Sequence, residues 1–297
     1  MVISVQRVAL CILLVTGVNV APALQAEEGA GKSARLEPLF QQLFLGELVY
    51  PQDQGGIQFT TGFLTAAETK HESQLSVVVE YGITDRFQVA IEVPSDFERL
   101  QGTGGVGNIE LEGFWNFYSD AQAGWAAGVG FGLGLPSASS EVGDRAMLYQ
   151  PFVAACRQFD TLGFNASAGL EVKDFLDSGQ EPELRGAFAL AAFRSFERFV
   201  PLLELSVELE EWETPVRLAP GVLWRPAGPS AEVGLSFPIG LHDAPDVALF
   251  LMATIEFQPR RRTSANDGDD ASGNSRPQGR LTSPTAEMSR REAFGEQ

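Results

Sequence analysis

From residue 55 to residue 257 the chain repeats one theme: runs of alternating apolar and polar residues, each closed by a group of turn residues. Leu75, Val77, Val79, Tyr81 and Ile83 alternate with Ser76, Val78, Glu80 and Gly82. Thr84 and Asp85 supply a reversal, after which Phe87, Val89, Ile91 and Val93 alternate with Gln88, Ala90 and Glu92. Two period-two runs around a tight turn predict a β-hairpin. Read the same way, the chain yields strands over 55–66, 73–83, 86–94, 107–118, 124–135, 145–159, 162–172, 183–194, 201–210, 215–225, 231–241 and 247–257, about twelve in all. Pro151 interrupts the run 145–159, so that strand's two faces stay unassigned. The connections at 84–85, 119–123, 160–161, 195–200 and 226–230 are short. They alternate with a second set that contains the longest connections, such as 95–106 and 173–182.

Strands of about ten residues, alternating in polarity and even in number, are the pattern of a transmembrane antiparallel β-barrel. A soluble β-sandwich also alternates. It does not call for Trp115, Trp125, Trp224, Tyr81 and many phenylalanines at strand ends on the apolar parity, as an aromatic girdle does. Closure also removes the exposed edges that so many strands would otherwise leave. A secreted soluble β protein stays open as an alternative.

One segment breaks the pattern. In ARLEPLFQQLFLGELVYP, Leu36, Leu39, Phe40, Leu43, Phe44 and Leu48 recur at intervals of three and four, the helical period. This predicts a short amphipathic helix within an N-terminal segment, 27–54. It could lie on the membrane surface, form a poorly ordered arm, or plug the barrel. The plug would use the nearly bare face Gly124, Ala126, Gly128, Gly130, Gly132 and Gly134, where Leu and Phe side chains find room.

The ends differ from this body. Residues 1–26 carry Arg7, an apolar run from Val8 to Val20 and small residues up to Ala26, the anatomy of a cleaved secretory signal peptide. Cleavage after Ala26 is expected, with Ala23 as the competing site. The apolar run falls short of the roughly 20 residues that span a bilayer. Residues 258–297 are rich in Ser, Gly, Pro, Asn and Arg and form an expected disordered tail. Removing the signal leaves Cys156 as the sole cysteine, which excludes an internal disulfide and a cysteine-based metal site.

Charge narrows the function classes. The 39 acidic against 21 basic residues, a net −18, argue against a nucleic-acid partner. Gly102, Gly104 and Gly107 match a dinucleotide-binding spacing, but a period-two strand follows where the fingerprint needs a helix. The two histidines, His71 and His242, fall in predicted loops, so no catalytic pair, metal set or cofactor site is expected.

The inward parity is more informative. Glu80, Glu92, Glu110, Glu112, Glu171, Glu204, Glu208, Glu232 and Glu256 all fall on it, with Arg185, Arg217 and Arg225 as partial counter-charges. Such groups stay hydrated or paired in a lumen and would be costly against lipid. Carboxylates lining a lumen favour cations, and Glu80, Glu92, Glu110, Glu112, Glu204, Glu208, Glu232, Arg185 and Arg217 are the candidate selectivity residues. Structural Glu–Arg pairs filling a narrow lumen are the competing account.

The stretches GELVYPQDQGGIQFTTGF (46–63), YGITDRFQVAIEVP (81–94) and GTGGVGNIELEGFWNF (102–117) resemble the outer-membrane transporter family named for the meta pathway of phenol degradation. The resemblance covers roughly 46–257. Asn108 stands where the family's glycine run leads into an aspartate, and the tail beyond Phe257 is a further departure. What it implies is an exported bacterial outer-membrane channel for small aromatic or apolar compounds. Outer-membrane lipid, the barrel-assembly machinery and a small-molecule solute would be its partners. A closed barrel with a structural or adhesive role is the alternative of a different class.

Overall fold

The computed structural model describes residues 35–66, 72–98, 103–139, 146–175, 181–226 and 230–258. The signal peptide expected over 1–26, His71 and the tail beyond Gln258 lie outside them.

The described strands are β1 (Ile57–Ala66), β2 (Glu72–Thr84), β3 (Phe87–Glu98), β4 (Thr103–Val106), β5 (Glu110–Asp120), β6 (Trp125–Gly134) and β7 (Ala146–Phe159). They continue with β8 (Leu162–Phe175), β9 (Glu183–Arg194), β10 (Phe199–Leu209), β11 (Val216–Trp224), β12 (Ala231–Ser236), β13 (Ile239–His242) and β14 (Ala248–Phe257). β4 and β5 both run along β3, and β12 and β13 both run along β11, so each pair is one interrupted stave. Twelve antiparallel staves result, and the β1–β14 and β10–β11 pairings close the sheet on itself. Closure leaves no edge strand to be managed.

Two local details differ from the sequence expectation. The connection expected over 95–106 is mostly ladder: Asp96 and Phe97 pair with Gly105 and Gly104, so the glycine run extends a hairpin. Pro151 leaves its strand continuous, although the ladder to β8 skips from Tyr149–Val172 to Phe152–Gly169. It faces outward, is exposed, and holds register with Phe131, which puts Gln150, Phe152, Ala154, Cys156 and Gln158 on the inner face.

The exterior is apolar along the alternating parity, with Phe59, Tyr81, Leu111, Trp115, Phe131, Leu190, Leu203, Leu251 and Ile255 exposed. A soluble protein rarely shows so continuous an apolar surface, whereas a membrane barrel presents one as a belt. Phe159, Phe164, Phe196, Phe199, Trp224 and Phe257 crowd the end that carries the short turns. They form the aromatic band expected where a barrel meets the interface.

Among the described residues the expected N-terminal helix is absent. Residues 35–54 are irregular and lie inside the barrel, where Leu36, Phe40, Leu43, Phe44, Val49 and Tyr50 are buried. The physical reason is local and tertiary together. Pro38, Gly46 and Pro51 interrupt the helical period, and the wall offers polar side chains that satisfy the backbone without helical bonds.

Candidate functional site: the lumen

The segment 35–54 enters and leaves the lumen at the short-turn end. Leu36 N–H donates to Ser119 Oγ (2.9 Å), Gln158 Nε2 donates to the Glu37 carbonyl (3.3 Å), and Arg225 donates to the Leu39 carbonyl (2.7 Å). On the way out, Gln54 N–H donates to Asp85 (3.0 Å) beside the β2–β3 turn, and Arg35 pairs with Asp53 (2.9 Å) across the base of the loop. Between these points the middle of the segment pushes further in. Phe44 and Leu45 N–H groups donate to the two oxygens of Glu204, both at 2.8 Å, and Gln41 N–H donates to Glu232 at 3.3 Å. Asn165 and Asn116 donate to the carbonyls of Glu47 and Val49 at 2.8 and 2.7 Å, and Gln88 accepts from Gln52 N–H at 2.8 Å. Buried backbone groups must find partners, and here wall side chains supply them.

Packing fixes the same path. Phe40 meets Phe193 edge-on at 4.6 Å, and Phe44 meets Phe250 at 5.5 Å. Phe44 sits over Gly221 and Gly234, where an added Cβ would come within 2.6 and 2.8 Å of its ring. Small residues on β11 and β12 are therefore the socket of this side chain. The glycine face of β6 has a different use from the one expected. Its space is taken by Phe114 beside Gly128 and Phe152 beside Gly130, two wall rings stacked at 5.9 Å, and not by the segment. A cavity of about 170 Å³ stays at the short-turn mouth, bordered by Arg35, Phe40, Tyr50, Arg225, Glu232 and Glu256.

Beyond the segment the inner wall toward the long connections is lined by half-buried side chains. A polar ribbon winds along the hydrogen-bonding direction of the sheet. Glu256 pairs with Gln58, Gln58 with Glu80, Ala90 follows, then Glu112, Gly132 and Gln150. Gln150 donates to Glu171 (3.2 Å), which lies opposite Arg185, and Arg185 reaches Glu210 at 3.6 Å. Glu92 and Glu110 face each other one row away.

The nine candidate residues thus separate into three groups. Glu80, Glu92, Glu110 and Glu112 come together on β2, β3 and β5; Glu80 is held by Gln58 and Gln88, and none of the four has a cationic partner among the described residues. Glu204 and Glu232 clamp the inner segment. Glu208 and Arg217 are ion-paired, and Arg185 is shared among Glu171, Glu183 and Glu210.

Sequence reasoning missed Glu47, which the segment carries to the acidic wall within reach of the charges on Glu92 and Glu112. Burial first, and then the Glu92 carboxylate, push its pKa from 4.5 up to about 7. It also missed the amide set Gln88, Asn116, Gln158 and Asn165. The available signal was a run of inward amides, which can donate to or accept from a backbone but seldom line a lumen for charge alone. His242 is exposed and pairs with the adjacent Asp243 at 3.1 Å. Among the described residues no three His, Cys, Asp or Glu come together as a metal site would require.

No protein-family model and no curated protein matches the chain. Solved structures do. A NanC porin aligns over 68% of this chain and 100% of its own length, at 11% identity and a TM-score of 0.51. A KdgM porin aligns over 68% and 99%, at 10% identity and 0.49, and the β-domain of the Bordetella autotransporter BrkA over 68% and 98%, at 12% and 0.43. At these identities the likeness is one of fold: the chain is a closed, porin-like antiparallel β-barrel of twelve strands.

Proposed function

We propose that this protein is an outer-membrane channel for small neutral or cationic solutes, occluded in this conformation by its own residues 35–54. The carrying observation is the acidic wall of Glu80, Glu92, Glu110 and Glu112, a set of inward carboxylates, half-buried except for the buried Glu80, that have no cationic partner among the described residues. Carboxylates so placed raise the local concentration of cations and oppose anions. The apolar belt supports the membrane setting, and the porin-like fold agrees with it. The resemblance of 46–117 to the meta-pathway transporter family extends the proposal to small aromatic or apolar compounds.

Planar-bilayer recording of the refolded full chain beside a variant lacking residues 35–50 tests this. The shortened form is expected to give larger, steadier openings with cation preference in a salt gradient. Folded, heat-modifiable protein that is silent in both forms would point to the second reading, a closed structural barrel, which the wall-bound segment favours. Anion preference would remove the role assigned to the acidic wall.

A further inference from the structure

The basic side chains of this acidic protein are unevenly used. Arg185 and Arg217 are paired with glutamates, Arg35 with Asp53, and Arg225 with carbonyls of the segment and the β9–β10 turn. Arg157, Arg194 and Arg198 have no carboxylate within ion-pair distance among the described residues, although Asp160 and Glu197 lie in the turns beside them. All three sit at the short-turn end, Arg157 on β7 and Arg194 on β9 on either side of β8, and Arg198 in the turn after β9. Arg157 and Arg194 project outward, on the parity of Phe164 and Leu162, with which they pair in register.

Each outward arginine rests on aromatic rings. The Arg157 guanidinium lies 4.9 Å from the Trp125 ring centre and 4.8 Å from that of Phe159, and Arg194 lies 5.1 Å from Phe196. This fixes the planes of the cations, and among the described residues neither guanidinium has a hydrogen-bond or ion-pair partner. A cation on the lipid-facing side is tolerated only at headgroup depth, where the aromatic band also sits. An acceptor is therefore missing from a place where lipid phosphates would be.

We propose that the outer surface of β6–β9 at the short-turn end is a headgroup site for an anionic glycerophospholipid, with Arg157 and Arg194 holding the phosphodiester and Trp125, Phe159 and Phe196 the bed beneath it. Guanidinium matches phosphate oxygens in a bidentate way, and the acyl chains would continue along the apolar wall of Phe164, Ala166 and Ala168. This rests on the barrel's lying in a membrane and not on conduction, so either reading can fail alone.

The test is lipid association of the refolded full chain in phosphatidylcholine bilayers carrying a trace of spin-labelled phosphatidylglycerol or spin-labelled phosphatidylcholine. Wild type is expected to hold the anionic probe more tightly, by about fivefold for each engaged arginine. R157Q/R194Q should lose that preference while keeping heat-modifiable migration, and R86Q, on the remote β2–β3 turn, should keep it. Should the double variant not fold, R194Q alone, at an exposed position, is expected to lose part of it. Equal association of the two probes with wild type overturns the site, as does a preference that survives R157Q/R194Q. A preference abolished by millimolar inorganic phosphate would make it a free-anion site and overturn the lipid assignment.

Discussion

The lumen has two glutamate-bearing walls that use the same side chain in opposite ways. On β10 and β12, Glu204 and Glu232 are almost fully buried and accept backbone N–H groups of the inner segment. On β2, β3 and β5, Glu80, Glu92, Glu110 and Glu112 face one another, and the neighbours that reach Glu80 are amides. Parity along a strand sets that a carboxylate points inward; the partner it meets sets what it does. A clamp and a charged wall are thus indistinguishable until the non-strand segment is placed between them.

The clamp side should respond most strongly to substitution. Phe44→Ala empties the socket over Gly221 and Gly234 and removes the contact with Phe250. A buried Phe truncated to Ala costs about 3–5 kcal/mol, here drawn from docking of the segment. Trypsin cleavage at Arg35 in the folded barrel should rise by well over tenfold. Glu204→Ala comes next. It leaves two buried N–H groups without acceptors, at about 1–3 kcal/mol each. Its expected signature is the same cleavage, to a smaller extent, together with more frequent openings in bilayer recordings. Unchanged cleavage in both variants would mean that the segment is not held by this wall.

The barrel was legible in the sequence because lipid and water impose a strict period of two, and each hairpin repeats it. The twelve staves and the inward parity of residues such as Glu80, Glu112 and Glu232 follow from that alone. The inner segment was legible only in part. Its apolar spacing at 36, 39, 40, 43, 44 and 48 suits a helix, and nothing local reveals that Glu204, Asn116 and Asn165, up to 160 residues away, will bind its backbone instead. The bare face of β6 misled for a similar reason. Whether a glycine row receives a plug or a neighbouring strand's Phe114 and Phe152 depends on cross-strand register, which the pattern of one strand does not carry.

Between the two walls stands Glu47, its backbone held by Asn165 and Ser167 on β8 and its carboxyl within reach of the charges on Glu92 and Glu112. Its folded pKa of about 7 lies above the ordinary value of 4.5, so the protonated form is the one that docks best. Its contribution to docking is fully present below about pH 4.5 and is lost as pH rises through about 7. Cleavage at Arg35 is expected to increase from pH 5.5 to pH 8, with conductance following it. Glu47→Gln should flatten that dependence and hold the segment at both values. An equal pH response in the variant would assign the dependence to another group.

The smallest structural effect, and the cleanest separation of the walls, is expected from Glu110→Gln with Glu112→Gln. Neither residue touches the segment's backbone, Gln keeps the size and hydrogen-bonding capacity of each side chain, and the mutual repulsion with Glu92 and Glu47 is relieved. Unfolding should therefore move by less than about 1 kcal/mol, in either direction. Ion preference is different, because two of the wall's charges are gone. The reversal potential in a salt gradient, measured in the background lacking residues 35–50, should shift toward zero. A shift of that kind with unchanged cleavage at Arg35 places the charge selection on β2, β3 and β5 and leaves the clamp on β10 and β12. An unmoved reversal potential would instead class these glutamates with the ion-paired set of Glu208 and Arg217, as fillers of the wall.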